Sequence, residues 1–265
     1  MNSYEAFRLD VADGIATLSL NRPEVRNAMN AAFFRELPEI VRGLEHDAAV
    51  RVLILRGEGP HFCAGIDLAL LREIAPRDDG DRAREAARFR RAILDLQAAI
   101  TSLEAARFPV IAAIHGACIG GGLDLVTAAD IRVARADALF RIEETNLGIV
   151  ADLGSLQRLP RIVHPAVARE MALTGRSVDA AEALRLGLVT AVLADQGALD
   201  HHARELAREI AARSPLAISG IKAVMNRDHM TAIREGLDYV ATWNAGQLGV
   251  AEVMASLAAR RGGKA

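Results

Sequence analysis

Phe7, Leu9 and Val11 alternate with polar residues, the chain breaks at Asp13-Gly14, and an apolar run resumes from Ile15 to Leu20. This pattern predicts a hairpin of half-buried strands. Asn21-Arg22-Pro23 ends the second strand, and Asn30 stands where a helix cap belongs. Behind it Phe33, Phe34, Leu37, Ile40, Val41 and Leu44 keep helical spacing, with Pro38 expected to kink that helix. Arg51 to Arg56 is short, β-branched and bounded by Gly57 and Gly59, and reads as a buried strand. The polar stretch 76–82, PRDDGDR, reads as a loop before a long helix carrying Phe89, Ile93, Leu96, Ile100 and Leu103, which Pro109 stops. Val110 to Ile114 is another buried strand, leading through His115-Gly116 into Gly120-Gly121-Gly122 and an apolar helix. Further strands are expected near 131–134 and 138–141. From Pro165 the chain reads as almost wholly helical apart from 188–193, with the last dozen residues expected to fray.

Strands alternating with helices, then a helical last third, predict an α/β core with parallel strands and a helical extension. The division falls at a 1–195 core and a 196–265 C-terminal region. No self-similarity with a period of roughly 20 to 50 residues supports a repeat array. Composition is ordinary for a globular chain of 265 residues, with 51% hydrophobic and 25% charged residues, so extensive disorder is excluded. Aromatics at 4% leave the core to Ala, Leu, Ile and Val. A net charge of -2, from 32 basic and 34 acidic residues, supplies no basic field for a phosphate backbone, so a nucleic-acid partner is not expected. The N-terminal stretch lacks a basic segment followed by an apolar one, and no apolar run is long enough to span a bilayer. Cys63 and Cys118 share no metal or redox spacing with each other or with the seven histidines. A soluble protein of the reducing cytoplasm, without bound metal, is the expectation.

Two glycine-containing turns follow the predicted strands, at His61 to Leu68 and at Gly120 to Gly122. Such turns bring backbone N–H groups close to a ligand, and two converging on one oxygen form an oxyanion hole. Tight turns needed only for packing are the alternative. The second run has neither the glycine spacing of a dinucleotide site nor the Lys-Ser/Thr of a phosphate loop. Asp124, Glu144 and Asp152 lie among aliphatic residues. A carboxyl in such company is exposed, spent as a cap, or buried with a raised pKa suited to moving protons at carbon. Asp152 fits a cap for a helix starting near Leu153; Asp124 lies inside its predicted helix and fits no cap of its own. His115 reads as a satisfied turn residue. No Ser-His-Asp order or nucleophile elbow is present.

The ordered set of motifs resembles the enoyl-CoA hydratase/isomerase (crotonase) superfamily over essentially the whole chain. It comprises Asn21-Arg22-Pro23 through Arg26-Asn27-Ala28-Met29, Phe62 to Leu68, His115 to Leu125, Ala128 to Arg132, Leu156-Gln157-Arg158-Leu159, Leu173-Thr174-Gly175, Ala180-Ala181-Glu182-Ala183 and Gly187-Leu188-Val189. The resemblance implies a crotonase-like spiral of ββα units with a helical C-terminal trimerisation region, assembled as a trimer or a dimer of trimers. It implies an acyl-CoA thioester substrate, coenzyme A being part of that substrate, and no further cofactor. The thioester oxygen would be held by the N–H groups of Ile66 and Gly121. Val25, Arg26 and Ala28 would line the nucleotide and pantetheine end, with Ala64, Asp67 and Leu68 near the thioester.

Asp124, where hydratases usually carry Glu, together with Glu144, Asp152 and Trp243-Asn244, is similar to the dienoyl-CoA isomerase branch. On that branch Glu144 would take the C2 proton of a 3,5-dienoyl-CoA, Asp124 would deliver a proton at C6, and Asp152 would act electrostatically. Hydration of a 2-enoyl-CoA, and non-catalytic binding of CoA esters or RNA, are the alternative readings.

Overall fold

The computed structural model describes residues 4–76 and 80–248. The middle of the polar stretch expected as a loop and the expected frayed tail lie outside the described residues. In chain order the elements are β1 (Phe7–Ala12), β2 (Ile15–Leu20), α1 (Ala31–His46), β3 (Val52–Gly57), α2 (Leu68–Ile74) and α3 (Arg82–Ala105). Then come β4 (Val110–Ile114), β5 (Ala117–Ile119), α4 (Gly121–Thr127), β6 (Ile131–Arg135), β7 (Leu139–Arg141), α5 (Ser155–Arg158) and α6 (Pro165–Thr174). The chain continues through β8 (Val178–Asp179), α7 (Ala180–Arg185), β9 (Ala191–Leu193), α8 (Gln196–Ala211) and α9 (Pro215–Gln247). A 3-10 turn at Glu144–Leu147 lies between β7 and α5.

Six strands form one sheet in the order β1-β2-β3-β4-β6-β9, antiparallel only between β1 and β2. The apolar runs of β3 and β4 follow from burial on both faces. Leu53 and Leu55, with Val110, Ala112 and Ile114, face the main core, whereas Val52 and Ile54, with Ile111 and Ala113, face a second cluster completed by Leu199, Ala203 and Ala207 of α8. The boundary expected at residue 195 therefore does not separate packing layers, because α8 covers the far face of the sheet. A smaller sheet, β5-β7-β8, rises beside the first. Neither β5 nor β8 shows in the sequence pattern, and neither exceeds three residues.

Asn30 caps α1 as expected, its side chain accepting the Phe33 N–H, and Pro38 sits inside that helix. His115, expected as a satisfied turn residue, is buried with Nε2 on Gly59 O at 2.9 Å, while its Nδ1 has no hydrogen-bond partner among the described residues. No helix among the described residues is long and apolar enough to cross a membrane.

A buried ion pair fixes the segment that follows the 3-10 turn. Arg158, 2% exposed, donates to Glu104 Oε2 at 2.9 Å, to Thr101 Oγ1 at 3.0 Å and to Leu153 O at 3.3 Å, joining α5 to α3. Its guanidinium fills the space beside Gly154, where an added β-carbon would fall 1.7 Å from Nη1, and Gly154 itself stands at φ +133°. Removing one partner of such a pair leaves a buried charge uncompensated. Glu104→Ala is expected to lower unfolding stability by about 3–5 kcal/mol, measurable as a large fall in the thermal midpoint.

Candidate active site

Three neighbouring parallel strands, β2, β3 and β4, end on the same edge of the sheet, where crevices of open α/β sheets bind ligands. The loops leaving them are laced together by backbone hydrogen bonds. Ala64 N–H donates to Arg26 O at 2.9 Å, Met29 N–H to Gly65 O at 2.8 Å and Asp67 N–H to Met29 O at 2.9 Å. On the other side Cys63 N–H donates to Ala117 O at 2.9 Å and Ile119 N–H to Cys63 O at 3.1 Å. The loop after β3 is thus held between the loop after β2 and strand β5.

This lacing sets the Ile66 and Gly121 amides side by side. A β-carbon on Gly121 would stand 3.5 Å from Ile66 N and only 2.1 Å from Met29 Cε, so glycine is what allows the approach. Neither N–H donates to an acceptor among the described residues. Two free, adjacent amide donors, one at the start of a helix, are the arrangement that stabilises an oxyanion.

The three carboxyls gather beside them. Asp124, on α4, has no exposed surface, and its Oδ1 accepts the Ser155 N–H at 2.5 Å. It caps α5, a helix that starts well beyond its own. Asp152, expected as a cap for that helix, instead accepts from Asn244 Nδ2 of α9 at 2.7 Å through Oδ2. Its backbone carbonyl accepts from Gln97 Nε2 of α3 at 2.7 Å. Glu144 opens the 3-10 turn, and its Oε1 lies 3.3 Å from where a β-carbon on Gly120 would stand, one residue from the Gly121 amide. Glu144 and Asp152 are half-buried, whereas Asp124 is enclosed. Asp124 Oδ2 and Glu144 Oε2 are buried without a hydrogen-bond partner among the described residues, a cost that folding carries where function requires it.

Burial pushes all three acids up. Asp124 rises to about 6, restrained by the Ser155 N–H and by the Arg158 charge. Asp152 rises to about 7, restrained by the Asn244 amide and pushed further by the Asp124 charge. Glu144 moves well above the usual carboxylate range through burial and then the charges of Asp124 and Asp152. Carboxyls raised in this way are suited to moving protons near neutral pH rather than near pH 4. The two thiols are different: burial lifts Cys63 to about 12 and Cys118 well above its usual value, leaving both inert.

The residues expected at the CoA end also converge. Val25 and Arg26 are exposed, Ala28 and Ala64 are half-buried, and Leu68 begins α2 at the surface. The Asp67 carboxylate is occupied as the cap of α2 and by Arg22 at 3.2 Å, while Arg22 also donates to Ala28 O at 2.6 Å. Asp67 therefore shapes this wall through its partners. Sequence reasoning places Asn244 only within a motif and assigns Gln97 and Ser155 no part. Their signal is a polar residue on an otherwise apolar helix face, visible at Gln97 between Ile93 and Ile100.

Residues 10–245 match the enoyl-CoA hydratase/isomerase family. A protein of Arabidopsis thaliana named Delta(3,5)-Delta(2,4)-dienoyl-CoA isomerase, peroxisomal, is 48% identical over 94% of this chain and 91% of its own length. A human protein named Delta(3,5)-Delta(2,4)-dienoyl-CoA isomerase, mitochondrial, is 40% identical over 97% of this chain and 80% of its own. The crystal structure of an enoyl-CoA hydratase/isomerase from Xanthobacter autotrophicus Py2 superposes with a TM-score of 0.85 at 29% identity, covering 98% of this chain and 94% of the other.

The raised acids have a consequence for stability. Asp152 binds its proton more tightly folded than unfolded, so its contribution is fully present below pH 3.8 and is lost as pH rises through about 7. Asp152→Asn keeps an acceptor for Asn244 and removes that loss. Its thermal midpoint should match the wild type near pH 4 and exceed it at pH 8, by on the order of 2 kcal/mol in stability.

Proposed function

We infer the function from the premise that the chain belongs to the enoyl-CoA hydratase/isomerase family: it moves the two double bonds of a 3,5-dienoyl-CoA to the 2,4 positions. The observation that carries this reading is the cluster of three raised carboxyls beside a pair of free amides, in a chain 40 to 48% identical to proteins named for that reaction. The thioester oxygen accepts from Ile66 and Gly121 N–H. Glu144, whose carboxyl stands beside Gly120 and so next to the Gly121 amide, is the group assigned to C2. It takes the C2 proton; the electron pair forms the C1–C2 double bond of the enolate, whose negative charge rests on the thioester oxygen. The charge returns as the pair re-forms the carbonyl, the double bonds move to C2–C3 and C4–C5, and C6 receives a proton. Only protons move, so the step needs neither metal nor redox cofactor.

The C6 proton comes from Asp152. Sequence resemblance gave that task to Asp124 and an electrostatic one to Asp152, but the exposure of the two carboxyls favours the opposite division. Asp124 has no exposed surface and gives Oδ1 to the Ser155 N–H, whereas Asp152 is only half-buried. The Asp124 charge raises both Glu144 and Asp152, so that one of them keeps a proton when the other is ionised. The pH–rate profile is then bell-shaped: too acid, and no base remains; too alkaline, and no acid does.

The CoA moiety runs along the wall of Val25, Arg26, Ala28, Ala64, Asp67 and Leu68, on the geometry of the laced loops. The chain assembles through α9, whose Leu216, Val224 and Met225 are 81%, 73% and 68% exposed, an apolar surface suited to other copies. A trimer or a dimer of trimers is proposed, and sedimentation should return three or six times the 28.4 kDa chain. A reducing cytoplasm is proposed on the two free buried thiols; the relatives named above are peroxisomal and mitochondrial.

Incubation with 3,5-dienoyl-CoA and, separately, with 2-enoyl-CoA tests the reading through the absorbance of each chromophore. Hydration of the enoyl ester without dienoyl turnover would overturn it. Glu144→Gln should lose turnover by about 10²–10⁴-fold together with solvent exchange at C2. Asp152→Asn should lose turnover by a similar factor while C2 exchange persists. Asp124→Asn should lose less and move the bell to lower pH, since the charge that raises its neighbours is gone.

A further inference from the structure

Asn244 is buried in the last turns of α9, and both hydrogens of its amide are committed. Nδ2 donates to Val150 O at 2.9 Å and to Asp152 Oδ2 at 2.7 Å. A backbone carbonyl can only accept, so the amide cannot turn its oxygen toward this loop without losing the Val150 contact. Asp152 Oδ2 therefore always faces a donor. A proton placed on that oxygen would point at another N–H, so the protonated acid must carry its hydrogen on Oδ1. No other side chain donates to the Asp152 carboxylate among the described residues; its remaining donor is the backbone N–H of Asp152 itself.

We propose that Asn244 is a positioning residue for the isomerisation, fixing which oxygen of Asp152 carries the transferable proton and holding that oxygen toward the acyl chain. The proposal rests on the reading of Asp152 as the acid at the far end of the diene. The loop around it is anchored so that the selection is kept. Gln97 Nε2 bridges Asp152 O and Leu237 O, at 2.7 and 3.0 Å, and Gln157 Nε2 reaches Gly236 O at 3.2 Å. Three amides thus tie residues 150–157 to α3 and α9. The charged groups acting on the site come from elsewhere: Asp124 on α4, Glu144 on the 3-10 turn and Arg158 on α5. From α3 and α9 the side chains that hydrogen-bond residues 150–157 are neutral amides, and Glu104 of α3 is paired with Arg158, so the Asn244 donor acts on Asp152 without adding charge.

The test compares wild type, Asn244→Leu and Gln97→Met in two measurements. One is the pH titration of the protonated-carboxyl infrared band of Asp152, assigned by its absence in Asp152→Asn. The other is steady-state turnover of 3,5-dienoyl-CoA against pH. Asn244→Leu should move the infrared midpoint upward by about one pH unit or more, because a donor to the ionised form is lost. Its kcat should fall roughly 10–100-fold, as for other partners that orient an acting group, with little change in KM. The alkaline limb of its profile should move up with the midpoint. Gln97→Met removes a backbone anchor only and should leave the midpoint in place. If Asn244→Leu does not fold, Asn244→Ser, too short to reach Oδ2, carries the same expectation. An unmoved midpoint in the Asn244 variant, or equal movement in both variants, would overturn the proposal. Absence of dienoyl turnover by wild type would instead refute the reading it rests on, while the infrared titration would still report on Asn244.

Discussion

Three carboxyl groups gathered at one site, each held above the ordinary carboxylate range by burial, are the constraint around which the surrounding structure is arranged. Each is raised first by burial, and the charges of its neighbours raise Glu144 and Asp152 further. Left alone, the cluster would hold its protons indiscriminately. The protein grades it instead. Asp124 is given the N–H of Ser155 and the field of Arg158, Asp152 the amide of Asn244, and Glu144 neither of these. Differences in burial, hydrogen bonds and neighbouring charge thereby give the three acids different tendencies to hold a proton.

The same economy appears in the backbone. Arg158 serves both levels: its charge lowers Asp124, and its hydrogen bonds to Glu104, Thr101 and Leu153 O pin the segment that carries Asp152. Beside the acids the laced loops set the free amides of Ile66 and Gly121 next to each other. The laced loops at the sheet edge and the segment pinned by Arg158 hold donors and acids in fixed relation. Asp152 illustrates the cost of this arrangement, for a carboxyl whose pKa is raised by burial weakens the fold as the pH rises.

Much of the frame was legible in the sequence because it depends on local pattern. The β1–β2 hairpin, the Asn30 cap, strands β3 and β4 and the long α3 all follow from period, turn residues and breakers. Strands β5 and β8 did not, since two or three residues are too few to show a period. The acids were found by their type and company, but their roles were not, because those depend on distant partners. Asp124 meets Ser155 across 31 positions, Gln97 meets Asp152 across 55, and Asn244 meets Asp152 across 92. The packing of α8 beneath the sheet was hidden for the same reason: its amphipathic pattern says that one face is buried and not against what.

That two separate carboxyls handle the two protons is tested most directly with substrate deuterated at C2 and turned over in ordinary water. With Glu144 accepting at C2 and Asp152 donating at C6, the deuterium leaves on one group while the new hydrogen arrives from the other. The product should then carry almost no deuterium at C6, and the lost label should appear in solvent. Recovery of most of the label at C6 would mean that a single group carries the proton along the chain, which would contradict a shuttle divided between Glu144 and Asp152.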